Sequence, residues 1–313
     1  MCRTSLVARD TRETSARTAP IESDVNPHPP TRPSWTTPSP DGVDIAAYEF
    51  GGAGQPLLVA HATGFCATMY RPMGAELVDR FRVVALDFRG HGHSGRPGND
   101  DFGWDRMAED VLAVVERIGT VPAAGFGHSM GGAALLMAEQ RRPGTFDSLF
   151  LFEPIVFPDD FAPTAPGLMA GLARARRSTF GSRDDALDRY SSRPPFDAMR
   201  VDVLEAYVAD GFVDLADGSV RLACLPDDEA RTFESETRVH TSTVADVAAA
   251  VTVVVGHDEE GPNPAQLGAG LVDALPHAEL LTRPELGHLG PLEDPTLVAA
   301  DVRTHLGKIR RRA

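Results

Sequence analysis

From Val43 onward the chain alternates short, continuous apolar runs with stretches of helical periodicity. Leu57-Leu58-Val59-Ala60-His61, Val83-Val84-Ala85-Leu86-Asp87, Ala123-Ala124-Gly125-Phe126-Gly127, Leu149-Phe150-Leu151-Phe152 and Val251-Thr252-Val253-Val254-Val255 are the runs, with Leu280-Leu281 the weakest. Unbroken apolar runs fit strands buried on both faces, as in a parallel sheet. Between them, Met107, Val111, Val114, Val115 and Ile118 form one helical stripe. Ala133, Leu136 and Met137 begin a second, and Leu297, Val298, Val302 and Leu306 make the last. Strand-helix alternation over most of the length predicts an α/β fold with a doubly wound, mostly parallel sheet.

Two segments break that alternation. Residues 1–40 are rich in Thr, Ser, Arg and Pro without apolar periodicity, and read as a disordered leader. Between Phe157 and Asp246 no strand pattern is evident, while 168–177, 184–190 and 203–208 have helical spacing. Residues 157–246 are therefore expected to form a helical cap inserted into a core of residues 41–156 and 247–313.

Composition narrows the function classes. The 313 residues carry 30 basic against 45 acidic side chains, a formal net charge of −15. So acidic a chain is repelled by phosphate backbones and anionic lipid, so neither nucleic acid nor a membrane surface is an expected partner. No uninterrupted apolar run reaches the ~18 residues of a membrane span. Cys2, Cys66 and Cys224 are scattered and odd in number, which fits neither a disulfide framework nor a zinc site. The first residues lack the apolar run of a signal peptide, so a reducing cytoplasm is expected. Nothing points to a metal or organic cofactor, and a homo-oligomer is left open.

The sharpest chemical signal is Gly127-His128-Ser129-Met130-Gly131, which fits G-x-S-x-G between an apolar strand and a helical run. That setting suits a nucleophile elbow. A sharp turn strains the serine backbone and needs neighbours two residues away without side chains. The following helix would aim free N–H groups at a developing oxyanion. A serine hydroxyl also needs a base, and His288, after the last strand, reaches the same carboxyl edge of the sheet. Three carboxylates compete to orient that histidine. Asp258 and Glu259 follow the penultimate strand, and Glu153 follows Leu149-Phe150-Leu151-Phe152. Asp258 is taken first, Glu153 second and Glu259 third. The oxyanion donors are expected to be the backbone N–H groups of Met130 and of Thr63, in His61-Ala62-Thr63-Gly64-Phe65. Gly90-His91-Gly92-His93-Ser94-Gly95 fits a dinucleotide fingerprint, but Arg96-Pro97-Gly98-Asn99 cannot open the helix that would cradle a pyrophosphate.

With these motifs in order, residues 43–307 resemble the α/β-hydrolase superfamily. His61 to Phe65 is similar to its oxyanion loop, and Asp87 to Ser94 to the loop after the next strand. Gly127 to Gly132 and Gly287-His288 resemble its nucleophile and histidine motifs. Further details, among them Phe152-Glu153-Pro154 and Gly290 to Pro295, are similar to capped hydrolases of actinobacteria. Two departures stand out. Ala62 replaces the glycine usual in the oxyanion loop, and the usual acid position after the penultimate strand corresponds here to Glu259 or Asp258. Glu153 corresponds instead to the acid position of some haloalkane dehalogenases. Those enzymes and the epoxide hydrolases attack with an aspartate, so Ser129 argues against their chemistry.

The resemblance and the residues together imply a serine hydrolase cleaving a small or medium uncharged ester, thioester or related acyl compound. Carbon–carbon bond hydrolysis and perhydrolysis use a similar constellation. A small-molecule receptor on a hydrolase scaffold is the rival from another class.

Overall fold

The structure, a computed structural model, describes residues 31–161, 167–257 and 264–306. Strands Trp35–Pro38 (β1), Asp44–Gly51 (β2) and Gln55–Ala60 (β3) lead to a short helix, Arg71–Ala75 (α1). Phe81–Leu86 (β4), Trp104–Ile118 (α2), Ala123–His128 (β5), Met130–Arg141 (α3) and Phe146–Phe152 (β6) follow. The intervening segment holds Leu168–Arg174 (α4), Thr179–Phe180 (β7), Arg183–Ser191 (α5), Val201–Asp210 (α6), Phe212–Asp214 (β8), Val220–Leu222 (β9), Pro226–Glu234 (α7) and Thr241–Val244 (α8). Ala250–Val255 (β10), Pro264–Ala274 (α9), Ala278–Thr282 (β11), Gly290–Glu293 (α10) and Pro295–Leu306 (α11) close the described chain.

Eight strands form one sheet in the order β1-β2-β4-β3-β5-β6-β10-β11. β1 and β2 join antiparallel, and every pairing from β4 to β11 is parallel. Successive strand residues point to opposite faces, so an unbroken apolar run means apolar layers on both sides. In β3, Leu57 and Val59 pack with residues of α11, whereas Leu58 and Ala60 pack with residues of α2 and α3. β4 divides in the same way, Val83 and Ala85 against Val84 and Leu86. The sheet is thus doubly wound, as the alternating pattern predicts.

Two expectations are corrected. Residues 31–40 of the expected leader are described, and Trp35–Pro38 pairs with Asp44–Ala47 at the edge of the sheet. An edge strand tolerates proline because its outer N–H positions need no partner. Residues 1–30 lie outside the described residues. The segment between β6 and β10 is not purely helical, since β7, β9 and β8 form a small antiparallel sheet. Strands of two or three residues are too short to register a period of two, so no sequence pattern betrays them.

Polar links tie this segment to the main sheet's helices and loops. The Trp104 indole N–H donates to the Thr232 carbonyl at 2.9 Å, and Arg96 grips Asp228 with two bonds of 2.8 Å. After Gly95 the next helix opens only at Trp104, so the G-x-G-x-x-G stretch leads into no helix N-terminus.

Candidate active site

Parallel pairing of β3, β5, β6, β10 and β11 sends their carboxyl ends, and the turns after them, to one edge. Ser129 directly follows β5, with φ 56° and ψ −121°. Only three described non-glycine residues have positive φ, and Ser129 and Glu153 are two of them. Such conformations cost about 1–3 kcal/mol each and persist only where the surroundings enforce them. At Ser129 the enforcement is visible. A Cβ on Gly127 would lie 2.5 Å from the Gly132 Cα, and one on Gly131 would lie 2.3 Å from the Ala60 carbonyl oxygen. The backbone crosses itself too closely there for any residue but glycine. The Ser129 side chain makes no capping bond to α3, which leaves its Oγ to face His288.

His288 lies between β11 and α10, with its Nε2 3.2 Å from Ser129 Oγ. Its Nδ1 is 2.6 Å from Glu153 Oε2. A carboxylate only accepts, so Nδ1 carries the proton and Nε2 can accept from the serine hydroxyl. The other Glu153 oxygen accepts from the Gly256 N–H at 2.8 Å. Glu153 is 2% exposed, and its own N–H donates to Val254. Both carboxylate oxygens are therefore held inside the sheet edge. Thr63 and Met130 line the same cavity as Ser129 and His288. Asp258, the first choice for the orienting acid, lies outside the described residues, as does Glu259; the carboxylate on His288 Nδ1 is Glu153. The physical reason is adjacency: β6 pairs directly with β5, so its next residue emerges beside the serine.

Comparison with known proteins accords with the fold that carries these residues. The model of the alpha/beta hydrolase family matches residues 57–301. The chain belongs to that family. Protein phosphatase methylesterase 1 of Mus musculus is 33% identical over 146 residues, 45% of this chain and 37% of its own length. The alignment thus spans little more than a third of that relative. Among solved structures, E-2-(acetamidomethylene)succinate hydrolase superposes with a TM-score of 0.71 at 20% identity, covering 87% of this chain and 98% of the other. A thermophilic esterase from Thermogutta terrifontis gives 0.65 at 22% identity, covering 88% and 97%. At such identities these two structures speak for the fold alone.

This alpha/beta hydrolase chain also joins its site through buried side chains that its sequence does not advertise. The Ala62 N–H donates to Tyr70 Oη at 3.2 Å, and Tyr70 Oη in turn donates to His128 Nδ1 at 2.7 Å. His128 Nε2 donates to the His288 carbonyl at 2.7 Å. One chain of hydrogen bonds therefore connects the turn after β3, the strand before the serine, and the loop of the histidine. Burial holds the His128 imidazole neutral, well below its ordinary pKa, which keeps this donor–acceptor order. His61 and His91 are likewise buried and depressed. They accept from the N–H groups of Phe88 and Gly64, both at 3.0 Å. Ala62 in place of glycine is accommodated because Gly64, with φ +81°, supplies the left-handed residue of that turn.

The cavity above these groups has a volume of about 740 Å³. Trp104, Phe157, Phe161, Leu168, Phe196 and Leu289 are among its lining residues, so its walls are largely apolar. Among the described residues no cluster of three or more His, Cys, Asp or Glu side chains could hold a metal ion. No described helix is long and apolar enough to cross a membrane.

Proposed function

We propose that the chain is a serine hydrolase that cleaves an ester, thioester or related acyl bond through an acyl-enzyme. The observation that carries this reading is the line Ser129 Oγ–His288 Nε2–His288 Nδ1–Glu153, with contacts of 3.2 and 2.6 Å around one imidazole.

In this mechanism Ser129 Oγ attacks the acyl carbon while its proton passes to His288 Nε2. The imidazolium that forms faces a buried carboxylate already in place, so little reorganisation accompanies the charge. Negative charge on the former carbonyl oxygen is held by the backbone N–H groups of Met130, at the start of α3, and Thr63. His288 then returns the proton to the leaving oxygen or sulfur. Water, deprotonated by the same Nε2, releases the acid and restores the serine. Glu153 accepts from His288 Nδ1 and so fixes the tautomer.

The test is labelling with a fluorophosphonate probe, beside turnover of a panel of chromogenic esters of increasing acyl length. Wild type should label and hydrolyse, and Ser129→Ala should do neither. Equal labelling of the variant would put the nucleophile elsewhere.

A further inference from the structure

The chain is acidic overall, yet the described lining of its cavity reverses that balance. Arg176, Arg177, Arg189, Arg193 and Arg238 contribute to the wall, against one carboxylate, Glu229. Arg176 is the partnered member. It contacts Glu229, donates to Tyr207 Oη at 2.5 Å and lies 3.3 Å from Tyr190 Oη. The other four form no ion pair with a carboxylate among the described residues. Arg177 donates to the Thr179 carbonyl and lies over Phe180, and Arg238 donates to the Phe233 carbonyl and lies over Phe157. Arg189 and Arg193 have no side-chain partner at all among the described residues.

Elsewhere among the described residues arginines without an acid partner, such as Arg71, Arg80, Arg117 and Arg221, are scattered rather than gathered on one cavity, and many others are gripped by acids. Arg89 is fully buried between Asp110 and Asp41, and Arg96, Arg174 and Arg283 each hold a carboxylate with two nitrogens. Arg177 and Arg193 are exposed and Arg189 and Arg238 half-buried, so water reaches these guanidinium groups while their positive charge stays uncompensated by a described carboxylate at the cavity wall. Low-dielectric walls lined by one sign of charge focus the field into the opening and draw in the opposite ion. A guanidinium offers a planar fork of donors suited to carboxylate and phosphate oxygens.

We propose that the arginine-lined wall is an oxyanion subsite, in which Arg189 and Arg193 bind a carboxylate or phosphate carried by the substrate away from its scissile acyl bond. The expectation of an uncharged substrate gives way to an anionic one. As a statement about turnover, this rests on the serine hydrolase reading above. A cavity of about 740 Å³ can take a medium acyl chain together with such a terminus.

The test compares matched substrates that differ only in charge. For a carboxylate, 4-nitrophenyl hydrogen suberate is set against its methyl ester; for a phosphate source, octanoyl-coenzyme A against the octanoyl thioester of N-acetylcysteamine. At low salt the wild type should show a KM at least about tenfold lower for the anionic member of one pair, and the pair that responds identifies the source. The charge sits away from the reacting carbonyl, so the preference belongs in KM rather than kcat. In the Arg189→Gln/Arg193→Gln double variant the KM ratio should fall towards one. A wild-type ratio near one in both pairs, or a ratio that survives the double substitution, overturns the subsite. Suberate dianion and diethyl suberate titrated calorimetrically give a readout independent of turnover. If no ester is cleaved and no probe labels Ser129, the hydrolase reading fails; the subsite then stands or falls on whether only the dianion binds and the double variant loses it.

Discussion

The floor and the wall of the cavity differ in how their polar groups are satisfied. At the floor, Ser129, His288 and Glu153 meet one another, and both Glu153 oxygens already have donors. At the wall, Arg189 and Arg193 have no described side-chain partner. A group that must act on a transient charge has to be held in place before that charge appears. A group that binds a ligand's permanent charge can be left open, because the ligand completes it. On the proposed reading the floor serves chemistry and the wall selection, and substitutions at each should act independently.

The largest effect should come from breaking the floor at its nucleophile. Ser129→Ala is expected to lower kcat by about 10⁶ while anionic ligands still bind, as calorimetry with suberate would check. Next is the acid. Glu153→Gln should cost on the order of 10⁴ in turnover, because the imidazole loses its tautomer lock. Asp258→Asn, assayed beside it with a chromogenic ester, should keep most activity; the reverse result would move the acid to the loop after β10.

A smaller effect sharpens how the floor is held. Tyr70→Phe removes the hydroxyl between Ala62 and His128 and leaves a buried N–H and a ring nitrogen unpaired. Urea unfolding should show a loss of about 1–3 kcal/mol, with lower kcat and little change in the preference for anionic substrates. Loss of that preference instead would couple the two regions.

The mildest expectation concerns pH. His61, His91 and His128 are depressed by burial in the folded state, so below the ordinary imidazole value of about 6.5 the unfolded chain binds more protons. The stability they supply is present above that pH and is lost as pH falls towards their folded values. Each adds up to about 1.4 kcal/mol per pH unit in that window. Denaturant midpoints taken at successive pH values between about 7 and 5 should fall, and His128→Gln should reduce the slope by up to about one proton. An unchanged slope would mean that His128 is not held neutral.

Much of the floor was legible in the sequence because its signals are local. Unbroken apolar runs mark strands whose two faces are both covered, and the cores on either side of β3 and β4 bear this out. Gly127 and Gly131 announce a backbone crossing, since the atoms they approach belong to the same strand-turn-helix unit or to the adjoining strand. His288 could be placed at the carboxyl edge because parallel strands all end there.

The remainder depended on which distant segments meet. Asp258 and Glu153 both follow strands of the sheet, and no periodicity distinguishes them; pairing of β6 with β5 set Glu153 beside Ser129. Tyr70 and His128 are separated by 58 residues and join only where two buried layers close. The arginines of the 157–246 segment look, as a string of residues, like an ordinary solvated surface. Whether a guanidinium has an acid opposite it is decided by packing across the chain, and only the folded arrangement shows that Arg96 and Arg174 are matched while Arg189 and Arg193 line an apolar cavity. Local patterns fix backbone conformation because neighbours along the chain dictate it; electrostatic partnership acts through space, and so the tertiary structure alone decided it.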